Sequence, residues 1–275
     1  MNLFETPEYL EIFKRHFCEE KNIVEGIWEK HEDKLILVGM KLVLGKEEVT
    51  DYAPMNLITL PEEYKKIQLD YVREDSGTYK YFTRQKQVFR RVVFSKQEVS
   101  PYIILPKTWE EYLESLERKH RKELKRKIKR LEAEKSFYEC SEATVKEDFE
   151  EFVRLHRLSD PAKNQFMSEA MKAFFWDIMT KPIAGWQSSL CFLKIEGKTA
   201  AGIMSFESQE EYWLYNSGYD LEFSYYSVGL LLKAHSIKKA IEAGKKKYDF
   251  LRGNERYKYE LGAKDLQLYK IEIEL

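Results

Sequence analysis

The sequence predicts a mixed α/β protein in two parts, the first rich in strands and the second built from helices around a strand meander. Three observations carry that prediction. Apolar residues recur at three- and four-residue steps in some segments and alternate in others, and these two periods separate helices from strands. Ser100-Pro-Tyr-Ile-Ile-Leu-Pro106 is bracketed by prolines, each biasing the preceding residue to extended geometry, so it reads as a connector. Beyond it, three strand-like runs lead into a helix that opens with a serine and a glycine. With 275 residues the chain is long enough for two modules, and the boundary is expected at the connector, giving parts 1–105 and 106–275.

Taken in order, residues 7–20 read as a helix, with Thr6 as N-cap, Pro7 in the first position and Tyr9, Leu10, Ile12, Phe13 and Phe17 on one side. Segments 23–29, 34–44, 79–83 and 87–94 are rich in Ile, Val, Leu, Phe and Tyr and read as strands, with a short helix over 61–68. Thr108 caps one long helix from Trp109 to about Glu134, striped by Trp109, Tyr112, Leu113, Leu116, Leu124, Ile128 and Leu131. Helices are expected over 143–157 and 168–180, joined by a loop containing Ser159-Asp160-Pro161. The meander follows over 190–195, 199–206 and 211–219, with turns at Glu196-Gly197-Lys198 and Ser208-Gln209-Glu210. A helix over 227–243 ends at Gly244, and strands over 248–251 and 266–273 complete the second part.

Composition narrows the function. Lys and Arg total 46 against 47 Asp and Glu, which argues against a protein that coats nucleic acid generally. The balance is local, however: nine Lys or Arg face one Glu between Arg118 and Arg130, so this stretch carries +8 and the remainder about -9. It is either the solvated face of an amphipathic helix or a phosphate-binding row, with Arg118, Arg121 and Lys125 at three- and four-residue steps. As a row it would serve tRNA, a nucleotide-linked sugar or an anionic lipid surface. Cys18, Cys140 and Cys191 are widely spaced and odd in number, so neither a disulfide framework nor zinc is expected. The start has no signal-like apolar stretch and no later run reaches membrane-spanning length, which makes the cytoplasm the expected address.

The start of the 227–243 helix is the first chemical signal. A helix opening through Ser227, Val228, Gly229 and Leu230 presents unpaired backbone N–H groups at the positive end of its dipole, which suits a pyrophosphate. The plainer reading is that Gly229 permits close helix-to-strand packing.

The segment from about Leu190 to Tyr269 resembles the acyltransferase half of the GNAT superfamily. Tyr248-Asp-Phe-Leu-Arg-Gly-Asn-Glu-Arg-Tyr-Lys258 is similar to the signature of BioF2-like, or CelD-type, acetyltransferases, relatives of the FemAB peptidyltransferases. Ser100-Pro101-Tyr102, Trp109 with Tyr112-Leu113, Arg130-Leu131-Glu132, Leu155-His156-Arg157 and, earlier, Asp51-Tyr52 extend the resemblance over most of the chain. It implies a GNAT-like fold, with a degenerate N-terminal half and a competent C-terminal one, and acyl transfer from a thioester, usually acetyl-CoA, to an amine or hydroxyl. Ser227, Val228, Gly229 and Leu230 would hold the pyrophosphate, and the strand around Trp213, Tyr215 and Ser217 the pantetheine and thioester. The loop departs from the commoner R/Q-x-x-G-x-G/A pattern, with Tyr225 or Tyr226 at the Arg or Gln position and Leu231 at the last small one.

Arg252, Tyr257 and Lys258 would border the acceptor, and Asp249 would act as a base or orient Arg252; the plainer alternative is an Asp249–Arg252 ion pair. His156 has a titration range suited to a general base, although a lone helical histidine is more often structural. Tyr215 is either an acyl contact or a core residue. Arg121 and Lys125 are further substrate-binding candidates, and no metal site is expected. Three functions follow: an acyl-CoA-dependent N- or O-acetyltransferase with a small or carbohydrate-linked acceptor, a FemAB-like transferase using aminoacyl-tRNA, or a non-catalytic binding protein using the basic helix.

Overall fold

The structure, a computed structural model, describes residues 3–17, 23–24, 28–31, 34–37, 41–44, 47–50, 66–84, 86–141 and 145–274. Cys18 and the Asp51-Tyr52 element lie outside them. The chain divides into two compact units, one taking Met1–Ser100, Arg252–Asn254 and Asp265–Leu275, the other Pro101–Leu251 and Glu255–Lys264.

In the first unit, helix α1 (Pro7–Phe17) starts where Thr6 Oγ1 accepts the Tyr9 N–H at 3.3 Å, and it buries Tyr9, Ile12 and Phe13. Strands β1 (Ile23–Val24), β2 (Trp28–His31), β3 (Lys34–Leu37), β4 (Lys41–Leu44), β5 (Glu47–Thr50) and β6 (Lys66–Arg73) follow. Residues 66–68, expected to end a short helix, are the start of β6, and 61–65 lie outside the described residues. The segment 79–83, expected as a strand, is inside helix α2 (Gly77–Arg84). Ser76 Oγ accepts the Tyr79 N–H at 3.2 Å, and Thr78 and Phe82, four residues apart, fall on one buried face. A five-residue aromatic run fits either period, and here the cap decides. Strand β7 (Arg91–Val99) completes this stretch.

The second unit opens with β8 (Tyr102–Ile104), followed by two helices, α3 (Trp109–Ser115) and α4 (Arg118–Glu132), in place of the single expected one. Leu116 at ψ 146° and Glu117 at ψ 139° are extended, and the Ser115 hydroxyl donates to Tyr112 O at 2.7 Å. Between Leu116 and Leu124 there is no apolar residue, so an unbroken helix would carry two turns with nothing to bury; the break aims both leucines inward. Then come β9 (Ser136–Ser141), α5 (Lys146–Ser159), α6 (Pro161–Phe166) and α7 (Glu169–Thr180). Helix α6 occupies the expected loop, because Asp160 Oδ1 accepts the Ala162 N–H at 2.7 Å and Pro161 takes the first position. The meander is β10 (Gln187–Ile195), β11 (Lys198–Glu207) and β12 (Glu211–Tyr219). Helix α8 (Val228–Glu242), β13 (Lys247–Asp249) and α9 (Arg256–Glu260) follow.

The second unit's sheet has the order β8-β13-β12-β11-β10-β9, mostly antiparallel, with β12 and β13 parallel across the α8 crossover. Its core gathers Leu193, Ile203, Tyr212 and Leu214 from the sheet, Leu231, Leu232 and Ile237 from α8, and Leu124 and Leu131 from α4. Cys140 and Cys191 are direct partners on β9 and β10 and form a disulfide, a correction to the expectation of unpaired cysteines. The last strand, β14 (Gln267–Glu274), pairs with β6 and β7, so the first unit's sheet has the order β1-β2-β3-β6-β14-β7. Among the described residues no helix is long and apolar enough to cross a membrane.

Candidate active site

Strands β12 and β13 pair in parallel only from Glu211–Lys247 to Trp213–Asp249. Beyond this point β12 continues to Tyr219 while β13 stops. The register of β11 with β12 shifts here, Met204 facing Asn216 and Ser205 facing Leu214, so Tyr215 is the extra residue of a bulge. A parallel pair that separates leaves a strand edge whose backbone groups are available to a ligand.

The crossover reaches the same place. A 3-10 turn, Leu221–Tyr226, leads to Ser227 in the left-handed region at φ 56°, and α8 begins with Val228 and Gly229, whose N–H groups lie at the positive end of the helix. A Cβ on Gly229 would meet the Tyr219 ring at 3.2 Å, so the plainer packing reading of this glycine also holds. Although the turn lacks the usual Arg or Gln, α4 brings a guanidinium to it. Arg130 Nη1 donates to Tyr225 O at 2.6 Å and its guanidinium lies 4.6 Å from the Tyr225 ring centroid. Tyr226 Oη donates to Glu134 at 3.0 Å, and Leu231, at the last position of the loop pattern, is buried in the core.

The signature after β13 folds around Leu251, held at φ 58°. Fully buried Asp249 accepts the Leu251 N–H at 2.9 Å, and Lys258 Nζ donates to Leu251 O at 3.1 Å. Asp249 and Lys258, near the two ends of the motif, thus fix one strained turn from both sides. Asp249 pairs with Lys247 at 2.9 Å, and Arg252 with Glu98 at 3.6 Å over the Tyr71 ring at 4.7 Å.

Around the separated edge, basic groups collect. Helix α5 approaches β12 so closely that a Cβ on Gly218 would lie 2.3 Å from the His156 backbone nitrogen. His156 is 1% exposed, its Nδ1 has no hydrogen-bond partner, and Asn216 bonds the ring. Burial, aided by Lys163, lowers its pKa to about 3, so the imidazole stays neutral and is a poor general base. Lys163 of α6 donates to Ser217 O at 2.6 Å, and burial lowers its pKa. Lys233 of α8 donates to Gly229 O at 3.2 Å and sits 4.6 Å from the Tyr257 ring centroid. Burial, then repulsion from Lys163 and Lys258 opposed by Glu255, brings its pKa to about 7. Lys258 pairs with Glu255 at 2.9 Å, and burial raises the pKa of Tyr257 strongly.

The remaining predicted residues are distributed around this centre. Trp213, the last residue paired to β13, donates from Nε1 to Glu211 at 2.6 Å, and its ring lies 4.6 Å from Trp186. The Tyr215 ring lies between Phe175 at 5.5 Å and Phe206 at 5.3 Å. Ser217 N donates to Asn216 Oδ1 at 2.8 Å. Arg121 turns back to Glu114, while Lys125 and Arg118 are exposed on α4. Sequence reasoning offered Asn216, with Tyr215 and Ser217, as a contact to the acyl group and missed Lys163, Lys233 and Glu255. A signal existed for Lys233, a lone charge inside the apolar stretch Val228–Ile237; Lys163 had none.

Comparison with known proteins settles the family. The profile of the acetyltransferase (GNAT) domain matches residues 118–259, just over half of the chain. The chain belongs to the GNAT acetyltransferase family. No curated protein matches it by sequence. Among solved structures, FemX aligns with a TM-score of 0.55 at 13% identity over 78% of this chain and 73% of that one. L-PGS from Bacillus licheniformis aligns at 0.57 and 11% over 97% and 91%. A conserved protein of unknown function from Bacteroides thetaiotaomicron VPI-5482 aligns at 0.57 and 10% over 100% and 98%. At these identities the likeness is of fold: a mixed α/β, GNAT-like fold, as the sequence resemblance implied. This GNAT protein is an acyltransferase by family.

Proposed function

We propose that this GNAT protein is an acyl-CoA-dependent N- or O-acetyltransferase acting on a small or carbohydrate-linked acceptor. The observation that carries the reading is the separation of β12 from β13 after Trp213–Asp249, with the Tyr215 bulge beside it and the first turn of α8 packed on Tyr219 at the end of β12. The donor's pantetheine would lie along the edge of β12 from Tyr215 to Ser217, exchanging for the Lys163 and Asn216 bonds now held by the Ser217 backbone, and its pyrophosphate at Ser227 to Leu230 with Arg130 alongside. The acceptor amine or hydroxyl attacks the thioester carbonyl, backbone N–H groups stabilise the oxyanion, and collapse expels CoA thiolate, which takes up the proton the acceptor loses. Asp249 builds the turn, His156 acts as a neutral hydrogen-bond partner, Tyr215 shapes the acyl end, and Tyr257 and Lys258 border the acceptor.

The test is thermal unfolding with acetyl-CoA. A ligand that binds only the folded state stabilises it by about 2.7 kcal/mol at a hundredfold excess over Kd, so a clear rise in Tm is expected. The absence of any rise with acetyl-CoA or longer acyl-CoAs overturns the reading.

A second donor, aminoacyl-tRNA, is favoured by one observation: the basic helix α4, where Arg118, Lys119, Lys122, Lys125 and Lys129 form no ion pair among the described residues, reaches the donor loop through Arg130. Salt-sensitive tRNA binding without a response to CoA would select it.

A further inference from the structure

We propose that Lys163, Lys233 and Lys258 form an anion pocket that holds a carboxylate or phosphoryl group of the acyl acceptor. The pocket stands on its geometry; that its occupant is the acceptor rests on the acyl-transfer reading above. Three different helices deliver the ammonium groups, each anchored by a carbonyl: Ser217 O for Lys163, Gly229 O for Lys233 and Leu251 O for Lys258, and for Lys163 and Lys233 that carbonyl occupies only part of the donor capacity. Lys233 and Lys258 are 6% and 1% exposed. Buried ammonium groups are strongly unfavourable unless paired; Lys258 has Glu255 at 2.9 Å, whereas Lys163 and Lys233 feel that carboxylate only at longer range, with Asp160 also acting on Lys163. Neither Lys163 nor Lys233 makes an ion pair among the described residues. The second, independent sign is His156 Nδ1, a polar atom buried without a hydrogen-bond partner beside Lys163. An oxygen-rich anion would satisfy Lys163 and Lys233 together, beside Lys258, whereas a polyamine acceptor would meet only repulsion.

The pocket also has a proton signature. The groups facing Lys233 are Lys163 from α6, Glu255, Tyr257 and Lys258 from the α9 segment, and its own helix carbonyl at Gly229. Its neighbours and burial hold it near half-protonation at neutral pH, so an arriving anion restores the proton and binding above neutrality takes protons up.

The experiment is calorimetric titration of the full chain at pH 8 with inorganic phosphate and, separately, malonate, in two buffers of different ionisation enthalpy, beside Lys233→Met, Lys163→Met and the surface control Lys198→Met. Saturable binding of either probe with net proton uptake, weakened at least tenfold in Lys233→Met and Lys163→Met but not in Lys198→Met, supports the pocket, and the preferred probe identifies the group. No saturable binding of either, or binding indifferent to both pocket variants, overturns it. Should a variant fail to fold, lysine-labelled wild-type chain is decisive by NMR: phosphate or malonate must shift the buried lysine resonances, and unmoved resonances overturn the proposal. Acetyl-CoA stabilisation measured alongside separates the two readings: anion binding without a CoA response overturns the donor, and a CoA response without anion binding overturns the pocket.

Discussion

Each unit contains a sheet with one short parallel pair, β3 with β6 over Lys34–Ile36 and Lys66–Gln68, and β12 with β13 over Glu211–Trp213 and Lys247–Asp249. They differ in what they do with buried charge. In the first unit buried Asp70 accepts from Gln97 at 2.8 Å, and buried Arg73 bonds Asp75 at 3.1 Å and Ser100 at 3.3 Å. In the second, buried Lys233 rests on a carbonyl among other lysines, and buried His156 keeps an unpartnered nitrogen. Paired burial is what a stable core requires. Unpaired burial is tolerated where a ligand completes it; the first unit leaves Glu8 Oε2 and Thr78 Oγ1 without a partner but sets no lysines together there, which is what distinguishes the second unit among the described residues.

The largest expected effect tests how tightly that site is held. Gly218→Ala places a Cβ against the α5 backbone, which has no flexible end to give way, and should cost roughly 3–5 kcal/mol or prevent folding. Gly77→Ala in the first unit meets nothing within 4 Å and should stay within about 0.5 kcal/mol. Urea unfolding of both variants checks the contrast, and equal costs would remove the claim that α5 and β12 are in obligatory contact.

Next in size is the disulfide, a covalent tie of β9 to β10 in the second unit, closing a sequence separation of 51 residues. Cross-links of this span contribute about 2–4 kcal/mol, so Cys140→Ser with Cys191→Ser, or full reduction, should lower Tm. Hydrogen exchange should quicken in β9 and β10 and not in β6 or β7. A uniform change across both sheets would contradict the localisation.

Much of this fold was legible because its signals are local. Thr108 caps α3 as its side chain requires, the meander turns fall at their expected residues, and Asp249 and Lys258 occur in one short motif since they clasp one turn. The failures share a cause. Strand β9 has no apolar alternation in Ser-Phe-Tyr-Glu-Cys-Ser and exists because β10 offers an edge. The α3–α4 break has no glycine or proline, only a missing apolar turn. Lys163 and Lys233 lie on helices far apart in sequence, so their meeting is a tertiary fact that no local pattern encodes.

The buried charges also predict two separate pH windows in which stability rises with pH. Lys233 has a folded pKa near 7, below its unfolded value, so between about 7 and 10 the unfolded chain binds the extra proton and stability rises with pH. Lys233→Met should therefore be the more stable protein at pH 7, with its advantage shrinking toward pH 10. His156 works in the acid window: with a folded pKa near 3, stability falls as pH drops below about 6.5, and His156→Gln should flatten that fall. Stability curves for both variants that parallel the wild type would show that neither group is buried unpaired.

The smallest effect sharpens the comparison within α4, where cations of one helix differ in employment. Arg121 is held by Glu114 on α3, while Arg130 is tied to the carbonyl of Tyr225 in the donor loop. Exposed ion pairs contribute about 0–1 kcal/mol, so Arg121→Gln should barely change stability and should leave acetyl-CoA affinity as it was. Arg130→Gln removes a guanidinium from beside the pyrophosphate position and should weaken acetyl-CoA about fivefold, roughly 1 kcal/mol, with little change in Tm of the free protein. If the two variants bind acetyl-CoA equally, the donor loop gains nothing from α4, and the basic helix is a solvated face whose charge serves no ligand at this site.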